Sequence, residues 1–427
     1  MSQPRLLIVS ATFPPSLLIG GRRPARMARH LHALGWHVTV LTVHPLYMPP
    51  WDPAEARPDG VEVLATHVLS PRAWARQLRR RQEGQTPSQP TAAVPQAGWR
   101  AQVHGLLHAA FKAIEFPDEF AGWQPLALRA VAGQRFDVVL GSMPPFSDAV
   151  VAHAIARRCG ARLVLDYRDP WSEVLSEDAS YGESRAYSKT ELQRHRALEN
   201  RLLREADLVL GVSPRICTWL QARTPVPVQL LPNGLDAPPP AAAPPRTLPL
   251  RLIYAGSLAY DRSLDSLLAA LAALRAEFPP QALRLVYAGP HGAQLQKAAQ
   301  EQGVLDYVDD LGVLPRGKVL ALYQGAAAGI AAVSARMHYC YPGKLFEILG
   351  AGCRVLMCGP PGADALELVR TLGVGETDDG SGVQASMQAV RNLLLAPPTP
   401  LHGLENWVAS EQMARLDGML RELLPKS

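Results

Sequence analysis

The hydrophobic positions in the first half of the chain form short continuous runs separated by segments of helical periodicity. The run RLLIVS at 5–10 is followed by a glycine-containing loop, an amphipathic segment that ends at Gly35, and the run HVTVLT at 37–42. A continuous apolar run of this length is typical of a strand buried on both faces of a parallel sheet. The alternation of such strands with helices predicts an α/β fold.

The same alternation continues to the segment LPNGLD and restarts after a proline-rich stretch, APPPAAAPPRTLP, at 237–249. Prolines cannot join a sheet and favour an extended, stiff chain, so this stretch predicts a linker. We therefore predict two Rossmann-like doubly wound domains, at 1–236 and 250–402, that face a central cleft. The amphipathic segment at 403–427 predicts a C-terminal helix that packs back on the N-terminal domain.

One region, residues 71–112, interrupts the rhythm of strands and helices. Its middle is rich in proline, glutamine, serine and threonine, which predicts a loop inserted into the N-terminal domain. Its flanks carry arginines and tryptophans: Arg72, Arg76, Arg79, Arg80, Arg81 and Arg100, with Trp74 and Trp99. A solvated insertion explains this composition, and so does an element at a membrane surface, because basic residues with tryptophan suit anionic headgroups.

The composition sets the broad class of the protein. A chain of 427 residues with 48% apolar and 19% charged residues is typical of a soluble globular protein of two or three domains. The net charge of +5 favours anionic ligands or membrane headgroups. Five scattered cysteines without a CxxC pair argue against a disulfide framework and against a zinc site.

The distribution of apolar residues also bears on location. The N-terminus lacks the charged segment and long apolar segment of a signal peptide, so we expect a cytoplasmic protein. The most apolar window, at 319–335, contains Gln324 and is rich in alanine and glycine. It predicts a helix followed by a buried strand and not a membrane span. The basic insertion adds the hypothesis of a peripheral position at the inner face of the membrane.

Two glycine-containing loops follow predicted strands, and ligands of doubly wound sheets bind beyond the carboxyl ends of the strands. Gly20 and Gly21 precede a helix and would let backbone N–H groups approach an anion, although a plain turn also explains them. Gly256 and Ser257, with Arg262 before the next helix, suggest a phosphate cradle or an ordinary loop. Neither GxGxxG nor a P-loop sequence occurs, which argues against a dinucleotide or P-loop site.

Two charged pairs are the other candidates. In LDYRDPW, Arg168 and Asp169 follow an apolar strand and would face the crevice, or they form an ion pair or a helix cap. In YPGKLFEILGAGCRVLMCGPPG, Lys344 and Glu347 share one face of a short helix. A surface salt bridge would contribute only about 0.2–0.5 kcal/mol. The apolar neighbours instead predict that both charges are buried and need partners, which a diphosphate and a sugar hydroxyl would supply.

Taken together, these segments resemble glycosyltransferase family 4, which consists of retaining enzymes of the GT-B fold that use nucleotide-diphosphate sugars. The resemblance spans nearly the whole chain and includes LDYRDPW, ADLVLGVSP, LPNGLD and YAGSL. The segment YPGKLFEILGAGCRVL, followed by CGPPG, is the most specific part. The resemblance implies these donor-binding residues: Gly20, Gly21, Gly256, Ser257, Arg262, Val313, Leu314, Tyr339, Lys344, Leu345 and Glu347.

The resemblance also implies individual roles. Gly20 and Gly21 would face the donor diphosphate and sugar, and the backbone around Val313 and Leu314 would hold the base. Glu347 matches the second glutamate of the family's E-x7-E motif, which binds the ribose hydroxyls. Lys344 and Arg262 would supply the cations for the diphosphate.

Three positions depart from the common pattern of the family. Tyr339 stands where the first glutamate of the E-x7-E motif is expected, and Gly256-Ser257 stands where the family usually has Gly-Arg. Arg168 occupies a position at which many members have histidine. The contact to the sugar, and with it the identity of the sugar, therefore does not follow from the resemblance.

The implied mechanism requires neither a metal nor a cofactor. Backbone N–H groups, Lys344, Arg262 and a helix N-terminus would stabilise the departing nucleoside diphosphate. Retention would proceed by front-face attack through an oxocarbenium-like state. We predict Asp169 and Arg168 as catalytic residues, with Asp169 orienting the acceptor or stabilising the positive charge at the anomeric carbon.

The sequence thus predicts transfer of a sugar from a nucleotide-diphosphate sugar, with UDP favoured, in cell-surface polysaccharide or glycolipid assembly. The partners would be this donor, a sugar or lipid-linked acceptor and a membrane surface, and no nucleic acid. Two alternatives remain open. One is a UDP-sugar epimerase of the same fold, and the other is a degenerate nucleotide-sugar-binding protein, which Tyr339 and Ser257 would suit.

Overall fold

The computed structural model describes residues 3–52, 57–70, 115–177, 187–246, 248–258 and 263–425. Within these residues the chain forms two parallel β-sheets, one from each half of the sequence. The prediction of two doubly wound α/β domains is confirmed. The basic insertion at 71–112 and Arg262 lie outside the described residues.

The N-terminal sheet consists, among the described residues, of seven parallel strands in the spatial order β3-β2-β1-β4-β5-β6-β7. The loops that follow β1 and β4 leave the sheet at its switch point, where open α/β sheets bind their ligands. The strands are β1 (Arg5–Val9), β2 (His37–Val43), β3 (Glu62–Thr66), β4 (Val138–Met143), β5 (Arg162–Tyr167), β6 (Leu208–Gly211) and β7 (Val228–Leu230).

The C-terminal sheet has six parallel strands in the described residues, in the order β10-β9-β8-β11-β12-β13. Its switch point lies between β8 and β11, so the loop after β8 opens onto the ligand side. The strands are β8 (Leu250–Ala255), β9 (Leu283–Ala288), β10 (Val308–Asp310), β11 (Ala328–Ala332), β12 (Val355–Cys358) and β13 (Gly375–Asp378).

Thirteen α-helices are present in the described part of the chain. Seven belong to the N-terminal half or return to it: α1 (Arg22–Ala33), α2 (Gln124–Ala130), α3 (Ser147–Cys159), α4 (Trp171–Glu177), α5 (Lys189–Glu205), α6 (Pro214–Gln221) and α13 (Ala409–Glu422). The others are α7 (Asp265–Ala273), α8 (Gly292–Glu301), α9 (Arg316–Tyr323), α10 (Gly343–Gly350), α11 (Asp364–Leu372) and α12 (Val383–Leu395).

Each sheet is covered on both faces, as its continuous apolar strands predict. In β1, Leu7 and Val9 belong to one core cluster, whereas Leu6 and Ile8 belong to the cluster on the opposite face. This division follows from the alternation of side chains along a strand. The window at 319–335 contains the second half of α9 and the buried strand β11, so the prediction of a helix followed by a buried strand is confirmed. Among the described residues, no helix combines the length and apolar character that crossing a membrane requires.

The C-terminal helix α13 lies against the N-terminal domain. Met413, Leu416 and Leu420 pack in the cluster that contains the β1 residues Leu6 and Ile8. The indole Nε1 of Trp36, which lies between α1 and β2, donates to Asp417 Oδ1 at 2.6 Å. The chain therefore crosses between the domains twice.

The two crossings run side by side. Leu235 donates its N–H to the Trp407 carbonyl at 2.7 Å, and Ala409 donates to the Leu235 carbonyl at 2.8 Å. Gly234 has a φ of +63°, and a Cβ there would lie 2.3 Å from the Trp407 carbonyl oxygen, so the close approach requires glycine. These contacts fix the backbone of LPNGLD at the junction of the two domains.

Candidate active site

The glycine loop after β1 faces the second domain across the cleft. Ile19, Gly20 and Gly21 form a short 3-10 turn that leads directly into α1. A Cβ placed on Gly343, the first residue of α10, would lie 4.0 Å from Ile19 Cδ1. The fold therefore brings the predicted loop next to the helix that carries Lys344.

Arg168 braces the loops at the N-terminal switch point. Its Nε donates to the Met143 carbonyl at 3.1 Å, and its two terminal nitrogens donate to the carbonyls of Gly20 and Pro144. The guanidinium thus joins the loop after β1 to the loop after β4. This geometry supports a role for Arg168 in positioning the two loops. The catalytic roles of Arg168 and Asp169 stay predictions.

A buried ion pair that the sequence analysis missed lies beneath these loops. Arg23 of α1 holds Asp166 of β5 with two nitrogens, Nη2 to Oδ1 at 2.7 Å and Nε to Oδ2 at 2.9 Å. Both side chains are almost fully buried. Ser142 donates its hydroxyl to Asp166 at 2.7 Å, and Arg23 also donates to the Leu231 carbonyl at 2.8 Å. The pair fixes α1, and with it the glycine loop, on the sheet.

Glu347 is the centre of a charged cluster in the cleft. Its carboxylate accepts from Lys344 Nζ at 2.9 Å and from Arg316 Nε at 3.0 Å. Arg22 of the N-terminal domain donates to the same carboxylate at 3.4 Å. The side chain of Glu347 is 12% exposed and that of Lys344 is 41% exposed. The expected burial of Lys344 is therefore wrong, because the first turn of α10 opens onto the cleft.

Asp236, the last residue of LPNGLD, extends this cluster to the junction between the domains. Its Oδ2 accepts from Arg316 Nη2 at 2.8 Å, and its Oδ1 accepts from Arg26 of α1. Arg26 also donates to the Asn233 carbonyl. The cluster brings together four cations and two carboxylates from both domains: Arg22, Arg26, Arg316, Lys344, Asp236 and Glu347.

The surrounding cations keep both carboxylates ionised. Burial raises the pKa of Glu347, but hydrogen bonds and charges from Lys344 and Arg316 outweigh it and leave the pKa below its ordinary value. Burial likewise raises the pKa of Asp236, and Arg26 and Arg316 lower it further than burial raises it. The cluster therefore carries an excess of two positive charges at neutral pH.

The loop after β8 lies beside Lys344. Gly256 has a φ of +147°, and a Cβ there would lie 3.8 Å from Lys344 Cε. The hydroxyl of Ser257 lies 3.3 Å from His291 Nδ1, and the carbonyl of Gly256 accepts from Tyr287 at 3.0 Å. His291 was not predicted from the sequence, since no charge pattern marks it in the loop before α8.

The base-binding prediction falls on a loop that ends in the charged cluster. Val313 is 74% exposed and Leu314 packs partly against the C-terminal core. Pro315 follows, and Arg316 begins α9. The sequence analysis singled out Val313 and Leu314 but not Arg316, Arg22, Arg26 or Asp236. Their pairing depends on residues far apart in the chain, which no local pattern reveals.

Two predicted donor residues have buried side chains. Leu345 is fully buried in the C-terminal core, and its N–H donates to the Pro342 carbonyl at 3.0 Å, which argues against a donor contact through this residue. Tyr339 is 4% exposed, and its ring centroid lies 5.5 Å from that of Trp219 in the N-terminal domain. Tyr339 thus lies at a contact between the domains, and its part in donor binding stays a prediction.

A further ion pair joins the domains near Tyr339. Arg215 of α6 donates its backbone N–H to Asp364 at 3.0 Å and its Nε to the same carboxylate at 3.2 Å. The Nη2 of Arg215 donates to the Gly362 carbonyl at 2.7 Å. The end of the conspicuous segment YPGKLFEILGAGCRVLMCGPPG is therefore attached to the N-terminal domain.

The arrangement suits an anionic ligand that spans the cleft. A glycine loop and the start of a helix approach from one domain, and Lys344 with the loop after β8 approaches from the other. The excess of positive charge matches a group with two negative charges, such as a diphosphate ester. Glu347 can accept hydrogen bonds from hydroxyl groups beside that anion.

Known proteins resemble the chain in sequence and in structure. Residues 20–234, half of the chain, match the family described as glycosyl transferase 4-like domain. A glycogen synthase from Mycobacterium tuberculosis is 26% identical over 336 residues, which cover 76% of this chain and 72% of that protein.

Solved structures share the complete two-domain fold. Sucrose-phosphate synthase from Thermosynechococcus elongatus superposes with a TM-score of 0.63 at 16% identity, over 99% of both chains. The α,α-trehalose 6-phosphate synthase from Burkholderia multivorans gives a TM-score of 0.58 at 13% identity, again over 99% of both chains. The predicted GT-B fold is confirmed.

Proposed function

Because the chain belongs to the glycosyl transferase 4-like family, we propose that it transfers a sugar from a nucleotide-diphosphate sugar, with UDP as the favoured nucleotide. The anomeric configuration is retained, and the acceptor is a sugar or lipid-linked sugar in cell-surface polysaccharide or glycolipid assembly. The cytoplasmic location, at the inner face of the membrane, belongs to the same proposal and rests on the sequence.

The observation that carries the proposal is the charged cluster around Glu347. Lys344 and Arg316 lie within 3.0 Å of its carboxylate, and Arg22 reaches it from the opposite domain. A diphosphate beside Lys344 and the Gly20–Gly21 loop would neutralise the excess positive charge. The carboxylate of Glu347 would then accept hydrogen bonds from the ribose hydroxyls.

The proposed chemistry follows from these positions. The bond between the anomeric carbon and the diphosphate oxygen breaks while the acceptor hydroxyl attacks the anomeric carbon from the same face. The acceptor proton passes to the departing phosphate oxygen, so no covalent bond to the enzyme forms. Lys344 and Arg22, which lie beside the Gly20–Gly21 loop, stabilise the negative charge of the leaving diphosphate.

A panel of nucleotide sugars in a thermal unfolding assay tests the proposal. A donor at about 100 times its dissociation constant stabilises the folded protein by about 2.7 kcal/mol. We expect one donor to raise the unfolding midpoint of the wild type and to have little effect on Glu347→Gln. Arg275→Gln is the matched control, because Arg275 pairs with Asp306 on the surface, away from the cleft. A wild-type midpoint that no donor changes would contradict the proposal.

Product analysis then separates transfer from the alternative reactions. The donor is incubated with and without a pool of acceptor sugars, and both the released nucleotide and the configuration of the product are determined. Transfer requires the acceptor, whereas rapid nucleotide release with epimerised sugar in the absence of an acceptor would favour an epimerase. Binding of a donor without any turnover would favour a degenerate binding protein.

The membrane part of the proposal has its own test. The full chain and a variant that lacks residues 71–112 are floated with liposomes of anionic and of neutral lipids. We expect the full chain to bind anionic liposomes and the deletion variant to bind less. Equal flotation of the two proteins would remove the insertion from the proposal.

A further inference from the structure

We propose that Arg316 and Asp236 are positioning residues that hold Glu347 and the neighbouring loop ready for the nucleoside half of the donor. The inference rests on the proposed function, since it assigns the means by which the same cleft binds its nucleotide. Neither residue belongs to the set that the family resemblance implies.

Arg316 joins two carboxylates through different nitrogens of one planar group. Its Nε lies 3.0 Å from Glu347 Oε1 and its Nη2 lies 2.8 Å from Asp236 Oδ2. A guanidinium held at both ends loses most of its rotational freedom. Since Lys344 occupies Oε2 of Glu347 at 2.9 Å, the carboxylate is held from two directions. The orientation that would receive a ribose is therefore set before a ligand arrives.

The same contact restrains the loop that is predicted to hold the base. Arg316 is the first residue of α9, and only Pro315 separates it from the segment Val313–Leu314. With its side chain fixed on Asp236, the start of α9 cannot move away from Glu347 without breaking an ion pair. The Arg316 side chain thus links the base loop to Glu347, the residue proposed to contact the ribose.

Asp236 is a suitable anchor because its own backbone is fixed. The preceding residue, Leu235, exchanges two hydrogen bonds with the C-terminal segment, at 2.7 Å to the Trp407 carbonyl and at 2.8 Å from the Ala409 N–H. Arg26 of α1 holds the other oxygen of the Asp236 carboxylate. Asp236 therefore gives the Arg316 side chain a partner whose position is fixed at the domain junction.

This arrangement predicts that Arg316 and Asp236 act on nucleotide affinity as one unit. Asp236 acts only through Arg316. Once Arg316 is replaced, replacing Asp236 should therefore have no further effect on nucleotide affinity. A purely structural pair would change folding stability instead. Both side chains are about half exposed, and exposed ion pairs contribute only about 0–1 kcal/mol to stability.

Calorimetric titration with UDP, ADP and GDP tests the inference. For the nucleotide that binds the wild type, we expect Arg316→Gln to weaken binding about tenfold, which corresponds to about 1.4 kcal/mol. Asp236→Asn should weaken it in the same direction, and the double variant should bind as Arg316→Gln does. Arg316→Lys, which keeps the charge but cannot bridge both carboxylates, should be intermediate.

The surface pair Arg275 and Asp306 supplies matched controls, since its exposure is similar and it lies in the C-terminal domain, to which Arg316 belongs. Arg275→Gln and Asp306→Asn should leave nucleotide binding unchanged. If the wild type binds none of the three nucleotides, the proposed function fails. If the wild type binds but Arg316→Gln binds equally well, or if the effects of Arg316→Gln and Asp236→Asn multiply, the positioning role is wrong and the proposed function stands.

Discussion

Arg22 in the N-terminal domain lies 3.4 Å from Glu347 in the C-terminal domain, measured from Nη1 to Oε1. These residues are 325 positions apart in the sequence, yet they meet directly beside the Gly20–Gly21 loop. The contact makes the cleft a site built by both domains. It also places a cation of α1 where the leaving diphosphate is proposed.

Replacing Arg22 with glutamine should affect turnover more than stability. Arg22 is 53% exposed, so loss of its ion pair should change the free energy of unfolding by less than about 1 kcal/mol. We expect kcat/KM to fall by about 10- to 150-fold, since a charged hydrogen bond to the leaving group is worth about 1.5–3 kcal/mol. Steady-state kinetics with Arg22→Lys as the charge-preserving control checks this, and unchanged kcat/KM in Arg22→Gln would refute it.

The role of Asp169 can be tested by removing only its charge. Asp169 lies beyond the carboxyl end of β5, next to the brace formed by Arg168. If its carboxylate stabilises positive charge at the anomeric carbon, Asp169→Asn should lower kcat while the dissociation constant of the donor stays near that of the wild type. Measured donor binding provides the control for folding, and a wild-type kcat would remove the catalytic role.

The buried pair of Arg23 and Asp166 should be important for stability. Arg23→Gln leaves the buried carboxylate of Asp166 without its countercharge, and breaking such a pair typically costs about 3–5 kcal/mol. Chemical denaturation should therefore show a large loss of unfolding free energy for Arg23→Gln, whereas Arg275→Gln on the surface should lose little. The double variant Arg23→Met with Asp166→Leu should lose less than the sum of the single variants, because no unpaired charge remains. Additive losses would count against this explanation.

Gly289 should tolerate no side chain, because of the loop after β8. A Cβ at Gly289 would lie 2.1 Å from the Gly256 carbonyl oxygen and 2.4 Å from the Tyr287 hydroxyl, so the loop after β8, which lies beside Lys344, must shift. We expect Gly289→Ala to destabilise the fold by about 1–3 kcal/mol and to weaken donor binding. Gly418→Ala in α13 is the control, since a Cβ there meets nothing within 4 Å and should stabilise the helix by about 0.5–1 kcal/mol. Denaturation curves measure the two changes in stability, and donor titration of both variants measures the change in donor affinity.

The pH dependence of stability should report on Asp148, a buried carboxyl in the first turn of α3. Burial raises its pKa well above the ordinary value, and nearby Asp118 adds to the rise, while the Ala11 N–H and Arg168 oppose it. A raised pKa in the folded state means that the folded state binds the proton more tightly. The stabilisation is therefore present at low pH and is lost as the pH rises above the ordinary value of 3.8.

Asp148→Asn should consequently gain stability relative to the wild type as the pH rises above 3.8. The amide oxygen can still accept from the Ala11 N–H, which the wild-type carboxylate does at 3.0 Å. Asp306 should show the opposite trend at lower pH. Its hydrogen bond from Arg275 lowers the pKa of Asp306, so the stabilisation is present above the ordinary value of 3.8 and is lost, relative to Asp306→Asn, as the pH falls below that value. Denaturation curves recorded from below pH 3.8 up to neutral pH measure both trends, and parallel curves for the wild type and Asp148→Asn would contradict the first.

Much of the candidate site could be located from local sequence. Gly20–Gly21, Gly256–Ser257 and the pair Lys344–Glu347 each follow or begin an element whose apolar pattern is unmistakable. The spacing of three residues predicted that Lys344 and Glu347 share one face of the helix. The structure pairs them directly at 2.9 Å, which is the salt bridge that the sequence offered as the alternative to two buried charges. The burial of Lys344 was mispredicted, because apolar neighbours on a helix do not reveal which turn opens onto a cleft.

The sequence by itself determined the two doubly wound domains, because continuous apolar strands alternating with amphipathic helices bury both faces of a parallel sheet. Only the tertiary structure decided which charges meet. Three arginines lie within one turn of α1, yet they have different partners. Arg23 pairs with Asp166 inside the N-terminal core, Arg22 reaches Glu347, and Arg26 reaches Asp236. The physical reason is that strand and helix patterns depend on near neighbours, whereas ion pairing across a cleft depends on how two separately folded sheets are placed.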